Sequence, residues 1–140
     1  MFAAIPLLLL PVIIYNVVVL FMDGSFHTKT AAAGFNQPML WIPMSSGTTW
    51  QVTGGDFLLV AALVVLFVEM LKSTDNGHIA VINHSLSMIL FIGCLVEFLL
   101  FPAFATSTFF LVTVMVLLDV LAGFIVTIAA SRREVDVRRD

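Results

Sequence analysis

Charged side chains are scarce in this sequence. Only 11% of its 140 residues are Asp, Glu, Lys or Arg, whereas 61% are hydrophobic. Ordinary soluble domains carry about 25% charged residues. A soluble fold of this size could not cover so much apolar surface, but a lipid bilayer removes the need for a polar exterior. Four of the six basic residues lie in the last nine positions, so there is no basic stripe for nucleic acid.

Cysteine and catalytic motifs are also lacking. Cys94 is the only cysteine, which excludes an internal disulfide and a multi-cysteine metal site. The sequence contains no G-x-S-x-G, G-x-x-x-x-G-K or H-E-x-x-H motif, so it gives no support to an enzyme. Metal-ligand spacings such as E-x-x-H are absent, and only His84 lies well inside an apolar run. We therefore expect neither a metal site nor haem, and no cofactor.

Four apolar runs dominate what remains. They predict helices at about residues 2–21, 57–72, 78–101 and 107–131, with an outer loop at 22–56 and a tail at 132–140. A spanning helix needs about 20 residues. The second run is shorter, but Asp56 can cap one end and Lys72 can snorkel at the other. The predicted fold is an all-α membrane protein, a single domain with four transmembrane helices in a bundle.

The first run differs from a signal peptide. It lacks a basic amino-terminal region, and its apolar stretch exceeds the usual 7–15 residues. We therefore expect a retained helix, which Pro6 and Pro11 either bend or confine to the residues after Pro11. Residues 73–77 predict a tight turn because Gly and Asn stop helices there.

The basic residues indicate the orientation. Four spans place the amino terminus, Lys72 and the four arginines of the tail on one side of the membrane, and only Lys29 on the other. Cytoplasmic loops carry an excess of Lys and Arg. We therefore expect both termini to be cytoplasmic.

The outer loop contains a predicted β-hairpin. Residues 39–44 and 48–53 form its arms, and Ser45, Ser46 and Gly47 form its turn. Trp41 and Trp50 are expected to anchor it at the membrane–water interface. The alternative is a flap that docks a partner or covers a substrate.

Four ionisable residues interrupt the apolar runs: Glu69, His84, Glu97 and Asp119. A charge at membrane depth is costly unless it is paired or wetted, so these residues are functional candidates. Helix rise places Glu69 and His84 about 7–8 Å to the cytoplasmic side of the bilayer centre, which would allow them to contact each other. Asp119 falls near the centre, and Glu97 about 12 Å toward the outside.

Each of these residues has a structural alternative. Glu69 could pair with Lys72, His84 could bond a neighbouring helix, and Glu97 could reach water. Asp119 has no cation within one turn, so it must be protonated, paired with another helix, or lining a wet cavity. Ser87 shares a helix face with Asn83, Cys94 and Glu97. These polar residues predict either interhelical hydrogen bonds or a relay for protons or ions.

A resemblance to known proteins rests on two stretches. These are residues 50–74, which include Glu69-Met70-Leu71-Lys72, and the stretch Asp119-Val120-Leu121-Ala122-Gly123-Phe124. The pattern resembles small multipass inner-membrane proteins of proteobacteria over about the last two-thirds of the chain. The resemblance implies a bacterial cytoplasmic membrane and carries over no catalytic or binding residues.

The size of the chain limits its function. After four spans, only the outer loop and the short tail remain for work outside the membrane. We expect a non-enzymatic accessory or scaffold subunit of a larger membrane assembly, with a membrane-protein partner or further copies of itself. The alternative is a small oligomeric transporter or channel that handles protons or cations through Asp119, Glu69 and His84.

Overall fold

The computed structural model describes residues 5–72 and 78–137, with most of their side chains. Three sequence-based expectations fall partly or wholly outside the described residues. These are the start of the first run at residues 1–4, the tight turn at 73–77, and the end of the tail at 138–140.

The chain is mostly helical. Its elements are α1 (Leu9–Asp23), α2 (Thr30–Phe35), β1 (Pro38–Pro43), β2 (Thr49–Thr53), α3 (Gly54–Lys72), α4 (His78–Leu100) and α5 (Ser107–Val137), with a 3-10 helix at Pro102–Phe104 before α5. By length and composition, the segments Gly54–Lys72, Ile82–Leu100 and Ser107–Val126 could each cross a membrane. These three helices indicate a membrane protein.

Helix α1 is shorter than the run that predicted it. It has 15 residues, below the length of about 20 that a straight span requires. It begins at Leu9, so Pro11 occupies its third position. An amide in the first turn of a helix has no partner within that helix, and proline is therefore tolerated there. The sequence had placed the regular helix either from residue 2 or after Pro11.

The starts of α3 and α5 are both fixed by threonine caps. The Thr53 hydroxyl accepts a bond from the Asp56 amide at 3.2 Å, and Asp56 Oδ2 accepts one from the Thr53 amide at 2.8 Å. This reciprocal pair is a capping box, so α3 begins three residues before the predicted boundary and Thr53, not Asp56, is the cap. The Thr106 hydroxyl accepts a bond from the Phe109 amide at 3.1 Å, as expected for the cap of α5.

Helix α5 is the central helix of the described bundle. It packs against both α4 and α3. One face of α3 is buried against its neighbours, with Leu58, Ala62, Leu66 and Glu69 following helical spacing. Beyond the predicted end at residue 131, α5 continues to Val137, because no glycine or proline stops it.

An aromatic cluster joins α1 to α2 and to the connection between α4 and α5. The Tyr15 ring stacks on Phe35 with a centroid distance of 4.4 Å and contacts Phe104 and Phe109. Its hydroxyl donates to the Ala103 carbonyl oxygen at 3.1 Å and is bonded to the Thr106 hydroxyl at 2.8 Å. Tyr15 therefore links α1 to the connection between α4 and α5. The short helix α2, which carries Phe35, was not predicted.

The predicted β-hairpin is confirmed. Strands β1 and β2 are antiparallel, with Trp41 opposite Gln51 and Ile42 opposite Trp50. The turn contains Gly47 at φ 83°, a conformation that glycine adopts without strain. The Met44 amide donates to the Thr48 carbonyl oxygen at 2.9 Å and closes the turn.

Candidate functional site

Asp119 lies on α5 in the interior of the bundle, where its side chain is fully buried. Its Oδ2 accepts a hydrogen bond of 2.6 Å from the Ser87 hydroxyl on α4, which is also fully buried. Of the three states that the sequence left open for Asp119, the structure therefore shows an interhelical hydrogen bond. Its other oxygen, Oδ1, has no hydrogen-bond partner among the described residues.

The Glu69 carboxylate joins α3 to α4 and to the segment just before α1. It is fully buried on α3. Its Oε1 accepts a bond of 2.7 Å from Asn83 Nδ2 on α4 and lies 3.4 Å from Lys72 Nζ. Its Oε2 accepts a bond from the Leu7 amide, just before α1. The expected pairing with Lys72 is present, but two further donors make Glu69 a junction rather than a surface ion pair.

Asn83, the residue before His84, makes a hydrogen bond to the Glu69 carboxylate. The contact between Glu69 and His84 that the sequence allowed stays a prediction. The His84 ring lies against Gly123 of α5, so closely that a methyl group on Gly123 would overlap it. Gly123 is one turn from Asp119, so His84 belongs with the α4–α5 contact.

Asn83 and Ser87 form a polar column on α4. They lie one turn apart, and both are buried. Asn83 bonds to Glu69 of α3, and Ser87 bonds to Asp119 of α5. The Oδ1 of Asn83, like Oδ1 of Asp119, has no hydrogen-bond partner among the described residues. An acceptor left without a donor costs free energy when buried, so this column retains capacity for a donor.

Glu97 is separate from that column. It lies about 15 Å along the axis of α4 from Ser87 and is partly buried. Its Oε2 accepts a bond of 3.2 Å from Asn16 Nδ2 on α1. The sequence suggested contact with water and did not identify Asn16 as a partner. The available signal for this partner was the presence of a polar residue, Asn16, within the apolar run of α1.

Metal binding finds no geometric support in residues 5–72 and 78–137. No three His, Cys, Asp or Glu side chains there lie close enough together to hold a metal ion.

The outer hairpin, which we define as residues 38–53, is largely uncovered by the rest of the protein. Leu40, Ile42 and Trp50 lie on one of its faces, and Trp41 lies on the other, opposite Gln51. Trp41 is 59% exposed and Trp50 is 52% exposed. An isolated two-stranded hairpin is marginally stable in water, and this one exposes large apolar side chains on both faces, Trp41 on one and Trp50 on the other.

Comparison with protein-family models, curated proteins and solved structures gave no match.

Proposed function

We propose that this protein is a non-enzymatic accessory subunit of a larger membrane assembly, and that it docks on a membrane-protein partner through the outer hairpin. The observation that carries the proposal is the exposure of apolar side chains on both faces of that hairpin. Large exposed apolar patches mark interaction sites.

The exposure of apolar side chains on both faces of the hairpin favours a protein partner over lipid alone. A hairpin that lies flat on the membrane interface buries one face and leaves the other in water. Lipid contact through Leu40, Ile42 and Trp50 would leave Trp41 exposed to water. A partner that covers the second face accounts for both tryptophans, which are favoured at the centre of protein interfaces.

The buried polar groups fit this role. Glu69 is held by donors from three segments, and Glu97 is bonded to Asn16. These bonds stabilise helix packing and require no cargo. A subunit whose polar groups serve its own fold depends on its exposed surface for function.

The proposal includes a topology. We propose four spans in a bacterial inner membrane, with α1 and the residues before it forming the first span. Both termini would be cytoplasmic and the outer hairpin would lie on the opposite side. The support is the distribution of basic residues, because Lys72 and the four arginines near the carboxyl terminus then share one side.

Affinity purification of the full chain in mild detergent tests the proposal. We expect a stoichiometric membrane protein to co-purify with the wild type and to be lost from the double variant Trp41→Ser/Trp50→Ser. Gln51→Ala, at an exposed polar position of the same hairpin, is the matched control and should retain the partner. Retention of the partner by the double variant, or no stoichiometric partner at all, would refute docking through the hairpin.

A second candidate function rests on a different observation. Asp119 Oδ1 is buried and has no hydrogen-bond partner among the described residues, as a proton- or cation-handling group would be. An oligomeric transporter or channel that uses Asp119, with Glu69 and His84 nearby, is therefore the alternative. Proton-coupled flux in liposomes that is present in the wild type and absent in a folded Asp119→Asn variant would favour it over the accessory subunit.

A further inference from the structure

A groove of about 390 Å³ runs between α1 and α4. Its walls are almost entirely hydrocarbon, from residues such as Val12, Val17 and Leu90. Several of its wall residues, including Ile13 and Ile89, are exposed on the outside of the bundle. The groove therefore opens sideways, toward the position that lipid would occupy around a membrane protein. Its volume falls within the range of small-molecule sites, roughly 300–1,000 Å³.

One carboxylate interrupts these walls. Glu97 lines the groove together with Asn16, whose Nδ2 donates to Glu97 Oε2 at 3.2 Å and to the Val12 carbonyl oxygen at 3.1 Å. This pair of bonds orients the amide and so fixes one carboxylate oxygen. No Lys, Arg or His lines the groove. The groove thus presents an acceptor with no cation of its own.

We propose that this groove binds a small lipophilic organic cation that enters from the membrane. The apolar walls would take the hydrocarbon part of the ligand, and Glu97 would face its positive charge. A charge pair is worth much more in an apolar medium than in water, so a single carboxylate selects strongly for charge sign. A lipid acyl chain would fill the same walls without needing Glu97, and an organic anion would be repelled.

Gly93 is a position at which a substitution can test whether a ligand occupies the groove. It lies on α4 and lines the groove, and a Cβ added there would meet no atom within 4 Å. The Cβ of a larger side chain at this position therefore meets no protein atom, and the rest of the side chain would extend into the groove. Gly93→Leu tests occupancy of the space, whereas Glu97→Gln tests the charge and keeps an oxygen for Asn16.

The experiment measures binding of tetraphenylphosphonium to the full chain in phosphatidylcholine nanodiscs by equilibrium dialysis, with empty nanodiscs subtracted. Tetraphenylborate has nearly the same size and shape with the opposite charge and serves as the control ligand. We expect saturable binding of the cation at one site per chain and none of the anion. Glu97→Gln and Gly93→Leu should each weaken cation binding at least about tenfold. Val96→Leu, at an exposed position of α4 outside the groove, should leave it unchanged.

Three results would overturn the proposal. The first is the absence of saturable cation binding. The second is equal affinity for the cation and the anion, which would identify an acyl-chain groove only. The third is unchanged affinity in a folded Glu97→Gln variant, with folding checked by circular dichroism. If that variant does not fold, Gly93→Leu and the comparison of the two ions decide the question, because neither alters the carboxylate. Docking through the outer hairpin is independent of each of these outcomes.

Discussion

Ser87 on α4 donates a hydrogen bond of 2.6 Å to Asp119 on α5, and both side chains are fully buried. The bond links the central helix of the bundle to its neighbour. It gives Asp119 a structural role that needs no ligand.

Removing that hydroxyl should destabilise the protein. In Ser87→Ala, the Asp119 carboxylate loses its only bond within the described chain, and we expect a loss of about 1–3 kcal/mol in the free energy of unfolding. Asp119→Asn keeps an oxygen that can accept from Ser87, so its loss should be smaller. Unfolding by sodium dodecyl sulfate in mixed micelles measures both. A Ser87→Ala variant as stable as the wild type would show that the bond contributes nothing.

Glu69 should tolerate substitution less well than Asp119. Glu69→Ala leaves the Leu7 amide and Asn83 Nδ2 without their acceptor, and we expect a loss of roughly 2–4 kcal/mol because each buried donor costs free energy. Lys72 is partly exposed and can turn to water. Glu69→Gln keeps one acceptor oxygen and should fall between Glu69→Ala and the wild type. The same unfolding measurement ranks the three proteins, and equal midpoints would contradict a junction at Glu69.

Two glycines of the bundle should respond to alanine in opposite directions. A methyl group on Gly123 would overlap the His84 ring, so Gly123→Ala should cost about 1–3 kcal/mol through overpacking. A methyl group on Gly93 meets open space, and Gly93→Ala should stabilise α4 by about 0.5–1 kcal/mol because alanine is the better helix former. Thermal unfolding of the two variants measures this difference. Similar midpoints would mean that His84 does not pack on Gly123.

The Tyr15 hydroxyl should contribute to stability apart from its ring. Tyr15→Phe keeps the stacking on Phe35 but leaves the buried Ala103 carbonyl oxygen without this donor. We expect a loss of about 1–2 kcal/mol. Tyr15→Leu also loses the stacked ring, so its loss should be larger. If Tyr15→Leu were no less stable than Tyr15→Phe, the aromatic cluster would not be joining α1 to the rest of the bundle.

Local sequence signals predicted the hairpin and the approximate positions of the long helices. The arms at 39–44 and 48–53 and the turn at Ser45-Ser46-Gly47 are encoded within a few residues. The positions of the long helices follow in the same local way from the apolar runs at 57–72, 78–101 and 107–131. By contrast, helix α2 has neither a long apolar run nor a strong cap, and its location depends on the packing of Phe35 against Tyr15.

The partners of the polar residues were harder to predict. Asn83 and His84 are adjacent, yet they point about 100° apart around α4. Which of them reaches Glu69 depends on the rotation of α4 about its axis, and that rotation is set by packing along the whole helix. The bond between Asn16 and Glu97 has the same origin, because it joins residues far apart in sequence. Residue spacing gives the face of a helix but not the neighbour that it meets.

Photo-crosslinking in native membranes tests the central claim, that the outer hairpin docks on a membrane protein. A photoreactive amino acid replaces Ile42 on one hairpin face and Trp41 on the other, with Leu99, an exposed residue of α4, as the control position. We expect a discrete protein adduct from Trp41, on the face that the partner covers, and no such adduct from Leu99. Lipid adducts alone at both hairpin positions would contradict the claim.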